Sequence, residues 1–156
     1  DAKLVARPCG YKPAKLTNAM VAEGWKLFTD TSLSSNGLSC NSCHIANNAY
    51  QDTFKQPYPH FVAMAKDRFD LDQVEADEMV QMCMVIPMAA KPLAWNSKEL
   101  SALTAYVEKV RTTTFKGAKA GSACGAKCGA CAAKCGACAA KCKAKCGACK
   151  AKCKAS

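Results

Sequence analysis

Residues 40–44 read Cys40-Asn41-Ser42-Cys43-His44, two thiols three apart followed at once by an imidazole. Thiols at this spacing can add across the two vinyl groups of a haem, which leaves the adjacent His44 held against the iron as its proximal ligand. Other uses of a CxxC pair need companions. A zinc site wants a second ligand pair, and no other CxxC and no HxxxH occurs before residue 116. A dithiol redox pair wants a strand–helix–strand setting, which the pattern does not supply. The motif therefore predicts one covalently bound haem c on Cys40 and Cys43, with His44 on the iron.

An iron held by one histidine has a sixth position to fill. The chain offers six methionines and one further histidine, His60. Met88 lies in Val85-Ile86-Pro87-Met88-Ala89-Ala90-Lys91-Pro92-Leu93, where two prolines force an extended, rigid loop that can present a side chain inward. A thioether opposite the imidazole raises the reduction potential and suits electron transfer, so Met88 is the expected ligand. Met79, Met82 and Met84 fall in a helical stretch over 72–85, where methionine ordinarily fills core. Met82 and Met84 stand as lesser alternatives. His60, in Pro57-Tyr58-Pro59-His60-Phe61, is the runner-up and would lower the potential, although a histidine beside proline and aromatics more often packs or caps. An open or water-ligated iron completes the alternatives. No Ser/His/Asp or paired-carboxylate arrangement suggests bond chemistry of the chain's own.

Helices must position these groups. Residues 17–30 read as a helix capped by Thr17 or Asn18, with Val21, Trp25 and Phe28 at helical spacing. Gly24 inside it costs about 1 kcal/mol relative to Ala, the usual mark of another backbone passing close. The natural partner is the last helix, capped by Asn96 or by Ser97. Glu99 would complete a capping box if Asn96 is the N-cap. Leu100, Leu103, Val107 and Val110 form its apolar stripe, with Tyr106 alongside.

On these residues the chain resembles the class I c-type cytochromes, whose first and last helices cross at a small residue and an aromatic. Gly24-Trp25-Lys26-Leu27-Phe28 and Leu103-Thr104-Ala105-Tyr106-Val107 look like that pair, and the resemblance runs over about residues 15–112. It implies an all-α fold of three to five helices around one haem, with the axial methionine on a proline-bearing loop between the CxxCH and the last helix. It also implies partner redox proteins. Leu27-Phe28-Thr29-Asp30 running into Asn36-Gly37-Leu38-Ser39-Cys40 is similar, more narrowly, to bacterial sulfur-oxidation cytochromes of the Sox and thiosulfate-dehydrogenase type.

Composition divides the chain. It has 156 residues and a formal net charge of +10. Residues 116–156 contain only Ala, Lys, Cys, Gly and Ser, with ten lysines and no acid. Residues 1–115 are thus formally neutral, and they hold every aromatic and enough apolar residues for one core. The expected organisation is a cytochrome c domain over 1–115 and a Cys-Lys-rich repeat tail over 116–156, helical or disordered. In the tail the unit Ala126-Lys127-Cys128-Gly129-Ala130-Cys131-Ala132 recurs unchanged at 133–139 and, after a four-residue insertion, at 144–150 with Lys150 at its end. On a helix, Cys124, Cys128, Cys131, Cys135, Cys138, Cys142, Cys146, Cys149 and Cys153 would share one stripe. Thiolates select soft metals, Cu(I) before Zn(II). Lysines directly before several of them favour the thiolate form. Dimerisation through the tail would accompany metal binding, and the alternatives are disulfide cross-linking, attachment of a disordered tail to an anionic surface, and low-complexity drift. Without Arg or aromatics the tail makes a poor nucleic-acid binder.

Two cysteines remain. Haem attachment through CxxCH belongs to an exported, oxidising compartment, where spare thiols tend to pair. A Cys9–Cys83 disulfide would pin the N-terminal loop to the helix before Met88 and add up to about 4 kcal/mol. A reduced cysteine near the iron would instead be a further candidate ligand. The start Asp1-Ala2-Lys3, without Met or apolar leader, suggests a signal peptide already removed, and no apolar run is long enough to span a membrane. The sequence thus predicts a periplasmic single-electron carrier, more carrier than enzyme, connected to sulfur-compound oxidation and bearing a tail for soft metal ions. The alternatives are the haem subunit of a thiosulfate-oxidising enzyme and a copper-handling protein that acts through the tail.

Overall fold

The structure, a computed structural model, describes residues 2–116. The repeat tail, with its nine cysteines, lies outside the described residues. Five α-helices follow in order: α1 Asn18–Thr29, α2 Cys40–His44, α3 Ala63–Phe69, α4 Ala76–Val85 and α5 Lys98–Thr113. Short 3-10 turns link them, and the described residues contain no strand beyond one isolated bridge between His60 and Val74. The all-α expectation holds.

Helix α1 starts where Thr17 Oγ1 accepts the Met20 N–H at 3.4 Å. It crosses α5, and Gly24 is the reason the two backbones can meet. A Cβ there would lie 2.7 Å from Tyr106 Cβ and would collide with the Ala102 carbonyl. Trp25, still 46% exposed, covers the crossing by stacking on Phe28 at 6.2 Å and on Tyr106 at 5.4 Å. The stripe Leu100, Leu103, Val107 and Val110 of α5 is buried against Phe28, Phe54 and Val80. Its cap is Ser97, whose Oγ accepts the Leu100 N–H at 3.2 Å, so the box between Asn96 and Glu99 is not the one used.

Helix α4 begins at Ala76, four residues later than its pattern suggests. Val74 exchanges both backbone hydrogen bonds with His60, and Glu75 then caps the helix with Glu78, whose carboxylate accepts the Glu75 N–H at 2.8 Å. The N-terminal arm packs Val5 into a second small core with Ala65, Phe69, Val74 and Met82. Arg7 ties the arm down through Asp77 at 2.9 Å and Glu75 at 3.2 Å.

The expected Cys9–Cys83 bridge is not formed. Cys83 is a thiol on the inner face of α4, whereas Cys9 sits exposed on the arm. The cause is where the arm is anchored. Arg7 holds it at the first turn of α4, and Cys83 lies in the last, about 9 Å along the axis from Asp77.

Candidate functional site

Between α1, α4, α5 and the segment 38–64 lies a cavity of about 270 Å³, open on one side. Cys40, Cys43, His44, His60 and Met88 all line it. Nearly all of the remaining wall is apolar or aromatic, including Phe28, Tyr50, Phe54, Val80, Leu103 and Val107.

Helix α2 has only five residues, and its spacing puts Cys40 and Cys43 on one face. Its start is held by the Ser39 N–H, which donates to Ser42 Oγ at 2.9 Å. Burial pushes the Cys40 thiol up to about 11. After His44 the chain reverses sharply, with positive φ at Ala46, Asn47 and Ala49. Non-glycine residues rarely adopt that conformation, Asn less reluctantly than most. The reversal returns the Asn48 carbonyl to 3.0 Å from His44 Nδ1. A carbonyl only accepts, so Nδ1 carries the proton and the Nε2 lone pair is left for a metal. Tyr50 stacks on the His44 ring at 4.1 Å, Phe54 stacks on Tyr50 at 4.1 Å, and Phe115 closes edge-on at 5.2 Å from both. The imidazole is therefore fixed in tautomer and in plane.

Met88 is 2% exposed, and its Sδ lies 3.7 Å from Cys40 Sγ. Its loop is held from two sides. From α4, the Cys83 carbonyl accepts the Met88 N–H at 3.2 Å and the Met84 carbonyl accepts the Ala90 N–H at 2.8 Å. The fully buried Gln81 makes a paired bond to the Leu93 backbone at 2.7 and 2.8 Å. From the segment before the CxxCH, Asn36 Nδ2 donates to the Pro87 carbonyl at 2.8 Å and Ser35 Oγ to the Ala89 carbonyl at 2.5 Å. These bonds grip the residues on either side of Met88 and hold Ala89 at φ 48°.

The other methionines separate cleanly. Met82 belongs to the second core and Met84 is buried away from the cavity, so neither of these sixth-ligand alternatives faces it. Met64 and Met79 do line it, as does Cys83, whose thiol is pushed up to about 12 by burial. Sequence reasoning misses Met64 and Met79 as cavity residues, holds Cys83 only as an alternative to its disulfide, and misses Asn48, Asn36 and Ser35 altogether. The Asn47-Asn48 pair beside the CxxCH was the one available signal, since Asn tolerates left-handed backbone.

The donor set fits a covalent haem c. Two thiols, an imidazole with a free Nε2 and a thioether face one apolar space, and one buried polar atom in its wall, His60 Nδ1, has no hydrogen-bond partner. None of the described residues forms a cluster of three or more His, Cys, Asp or Glu that would hold a different metal. No helix of the described residues is long and apolar enough to cross a membrane.

Residues 23–113 match the family model described as the SoxA/TsdA cytochrome c domain. No curated protein and no solved structure matches the chain.

Proposed function

The chain belongs to the SoxA/TsdA cytochrome c domain family, and we propose that it is a periplasmic single-electron carrier with one haem, serving sulfur-compound oxidation. Family membership brings covalent haem c, electron transfer and redox partners with it. The observation that carries the finer reading is the meeting of the CxxCH and Met88 at one apolar cavity.

Bound haem supplies a reversible one-electron Fe(III)/Fe(II) couple. Cys40 and Cys43 would hold it through thioether bonds. His44 would offer Nε2 to the iron, and the Asn48 carbonyl, by keeping the proton on Nδ1, would strengthen the ring as a donor. Met88 would supply a thioether ligand to the iron, which favours a carrier over an enzyme. The apolar wall excludes water and disfavours the more charged ferric state, raising the potential. Exposed Leu38, Phe61 and Ile86 stand next to cavity residues and offer apolar surface where a partner can approach.

Two units divide the work in this reading: a redox domain over 1–115 and a tail over 116–156 that binds Cu(I) or Zn(II) through its cysteines. Periplasmic location follows from the compartment in which CxxCH haem attachment takes place. A second reading, with Cys83 rather than Met88 on the iron, is favoured by the burial of that thiol in the same cavity.

Mass spectrometry of the natively purified chain, intact and then denatured, tests the reading together with Met88→Ala and Cys83→Ser. One covalent haem, a near-infrared sulfur-to-iron band that Met88→Ala abolishes and Cys83→Ser preserves, and metal that leaves on denaturation are expected. Loss of the sulfur signature in Cys83→Ser alone would move the ligand to α4. A second haem or none would overturn the single-haem reading.

A further inference from the structure

Gln81 of α4 is 0% exposed, a rare place for a glutamine, and it stands outside the cavity wall. Both ends of its amide go to one residue. Nε2 donates to the Leu93 carbonyl at 2.7 Å, and Oε1 accepts the Leu93 N–H at 2.8 Å. A carbonyl only accepts and an N–H only donates, so these two bonds also settle which end of the amide is which. The pair reproduces, with a side chain, the exchange of hydrogen bonds that two antiparallel strands make. Backbone alone is poorly equipped for this, since Pro87 and Pro92 have no N–H to give. Residues 81–93 are thereby closed into a ring with Met88 inside it. Within the ring the Met88 N–H reaches the Cys83 carbonyl at 3.2 Å and the Ala90 N–H the Met84 carbonyl at 2.8 Å. Those are backbone bonds that many sequences could make. The closure at Leu93 depends on the side chain of Gln81.

We propose that Gln81 is a positioning residue for the axial methionine, which by tying Leu93 back to α4 sets where the Met88 thioether stands and how readily it leaves the iron. The proposal rests on the reading of Met88 as the sixth ligand. Beyond the ring, Leu93 and Trp95 pack on the core that α5 shares with Leu100 and Leu103, so the far end of the loop is fixed to α5 by burial. Gln81 fixes it to α4 as well. A loop tied at both ends has fewer open conformations to visit, which favours the one that presents Met88 beside Cys40. The bonds from Asn36 and Ser35 on the other side are exposed, and water can replace them. Water does not reach Gln81, so opening the ring leaves polar groups without partners. A clamp that served the fold alone would act equally with Met88 on or off the iron. A positioning residue changes the balance between those two states.

The test uses the full haem-loaded chain, as wild type and with Gln81→Leu or Gln81→Glu. Gln81→Leu removes both bonds and is expected to bind imidazole on the order of tenfold more tightly than wild type, with a weakened near-infrared sulfur-to-iron band. Gln81→Glu separates the hydrogen bonds from the packing. A protonated carboxyl donates to the Leu93 carbonyl and accepts its N–H, as the amide does, whereas an ionised one only accepts. Burial favours the protonated form, so the sulfur band of Gln81→Glu should be strong near pH 5 and fade towards about pH 9, falling ahead of the wild-type band. A haem-loaded Gln81→Leu chain with wild-type imidazole affinity and an intact band overturns the proposal, whatever its unfolding stability. The wild-type protein gives a readout that depends on no variant folding. The Gln81 side-chain N–H should exchange slowly with solvent and lose that protection in the imidazole adduct, where Met88 is off the iron. Equal protection in the two states overturns the proposal too. Failure of the underlying ligand reading has a separate sign, a sulfur band that Met88→Ala leaves in place, and the proposal falls with it.

Discussion

Removing the side chains that grip the Met88 loop should free the methionine from the iron without unfolding the protein. Asn36 and Ser35 donate to the carbonyls that flank Met88, at 2.8 and 2.5 Å, and both bonds are exposed to solvent. Exposed neutral hydrogen bonds sit at the low end of the usual range, about 0.5–1 kcal/mol each. The pair therefore holds the loop closed by about 1–2 kcal/mol, a factor of roughly 5–30 in the closed-to-open ratio. An exogenous ligand such as imidazole binds ferric haem only when Met88 is off, so its apparent affinity rises by the factor through which the open state grows. The Ser35→Ala/Asn36→Ala protein is expected to bind imidazole roughly tenfold more tightly in a spectrophotometric titration, with a weakened near-infrared band. Two controls isolate the cause. Asn36→Asp keeps the oxygen that accepts the Leu38 N–H but loses the donor to Pro87, and it should behave like Asn36→Ala. Ser34→Ala removes only a bond to Thr31 within its own turn, and should change nothing. An unchanged imidazole affinity in the double variant, with an intact band, refutes the grip.

Two more predictions concern the scaffold. Gly24→Ala forces a Cβ against the Ala102 carbonyl, and backbone cannot step aside as a side chain can, so the α1–α5 crossing has to open at a cost of about 2 kcal/mol. Urea unfolding of the holo-protein reads this, and a loss below about 0.5 kcal/mol, the scatter of a neutral surface change, would mean the crossing tolerates a methyl group. Arg7→Ala leaves Asp77 and Glu75 without the guanidinium they pair with, keeps the backbone N–H that Glu78 accepts, and should cost about 3 kcal/mol at neutral pH. Burial already holds Glu75 and Glu78 above the ordinary glutamate value; the Arg7 charge pulls both back, at Glu78 after the hydrogen bonds from the Glu75 and Arg7 N–H groups. Without Arg7 they rise further, and the folded state then takes up protons before the unfolded state does. The deficit should therefore shrink as pH falls from 7 towards 4.5, and a deficit constant over that range would refute the assignment.

How much of this was legible depends on the distance over which each feature is encoded. The CxxCH, the capped apolar stripe of α5 and the demand of Gly24 for a close neighbour are all written within one helix, and short-range pattern recovers them. The start of α4 was read too early because Val74 and Glu75 suit a helix by type, and only the distant backbone of His60 draws Val74 into a bridge. Cys83 is the same case in stronger form. Its partner cannot be inferred from composition, because Arg7 rather than a disulfide anchors the arm, and the choice depends on which turn of α4 the arm reaches. Cys83 lines the cavity. The grip of Asn36 and Ser35 on residues more than fifty positions away has no local signature at all.

Both proposed iron ligands are thus held through backbone carbonyls, in two different ways. On the His44 side one carbonyl, that of Asn48, takes the Nδ1 proton, and three strained residues deliver it. The bond is short in sequence, so haem attachment at Cys43 and ligation at His44 are set by the same turn. On the Met88 side the carbonyls of Pro87 and Ala89 are themselves what is held, by a segment that ends in Ser39 and Cys40. A thioether is the weaker and more exchangeable donor, and it is the one whose hold depends on long-range contacts. Any motion that pulls the segment 35–39 away from the loop loosens Met88 while leaving His44 and both cysteines in place. The imidazole titration of the Ser35→Ala/Asn36→Ala protein measures how much of that hold the segment supplies beside the bonds from α4.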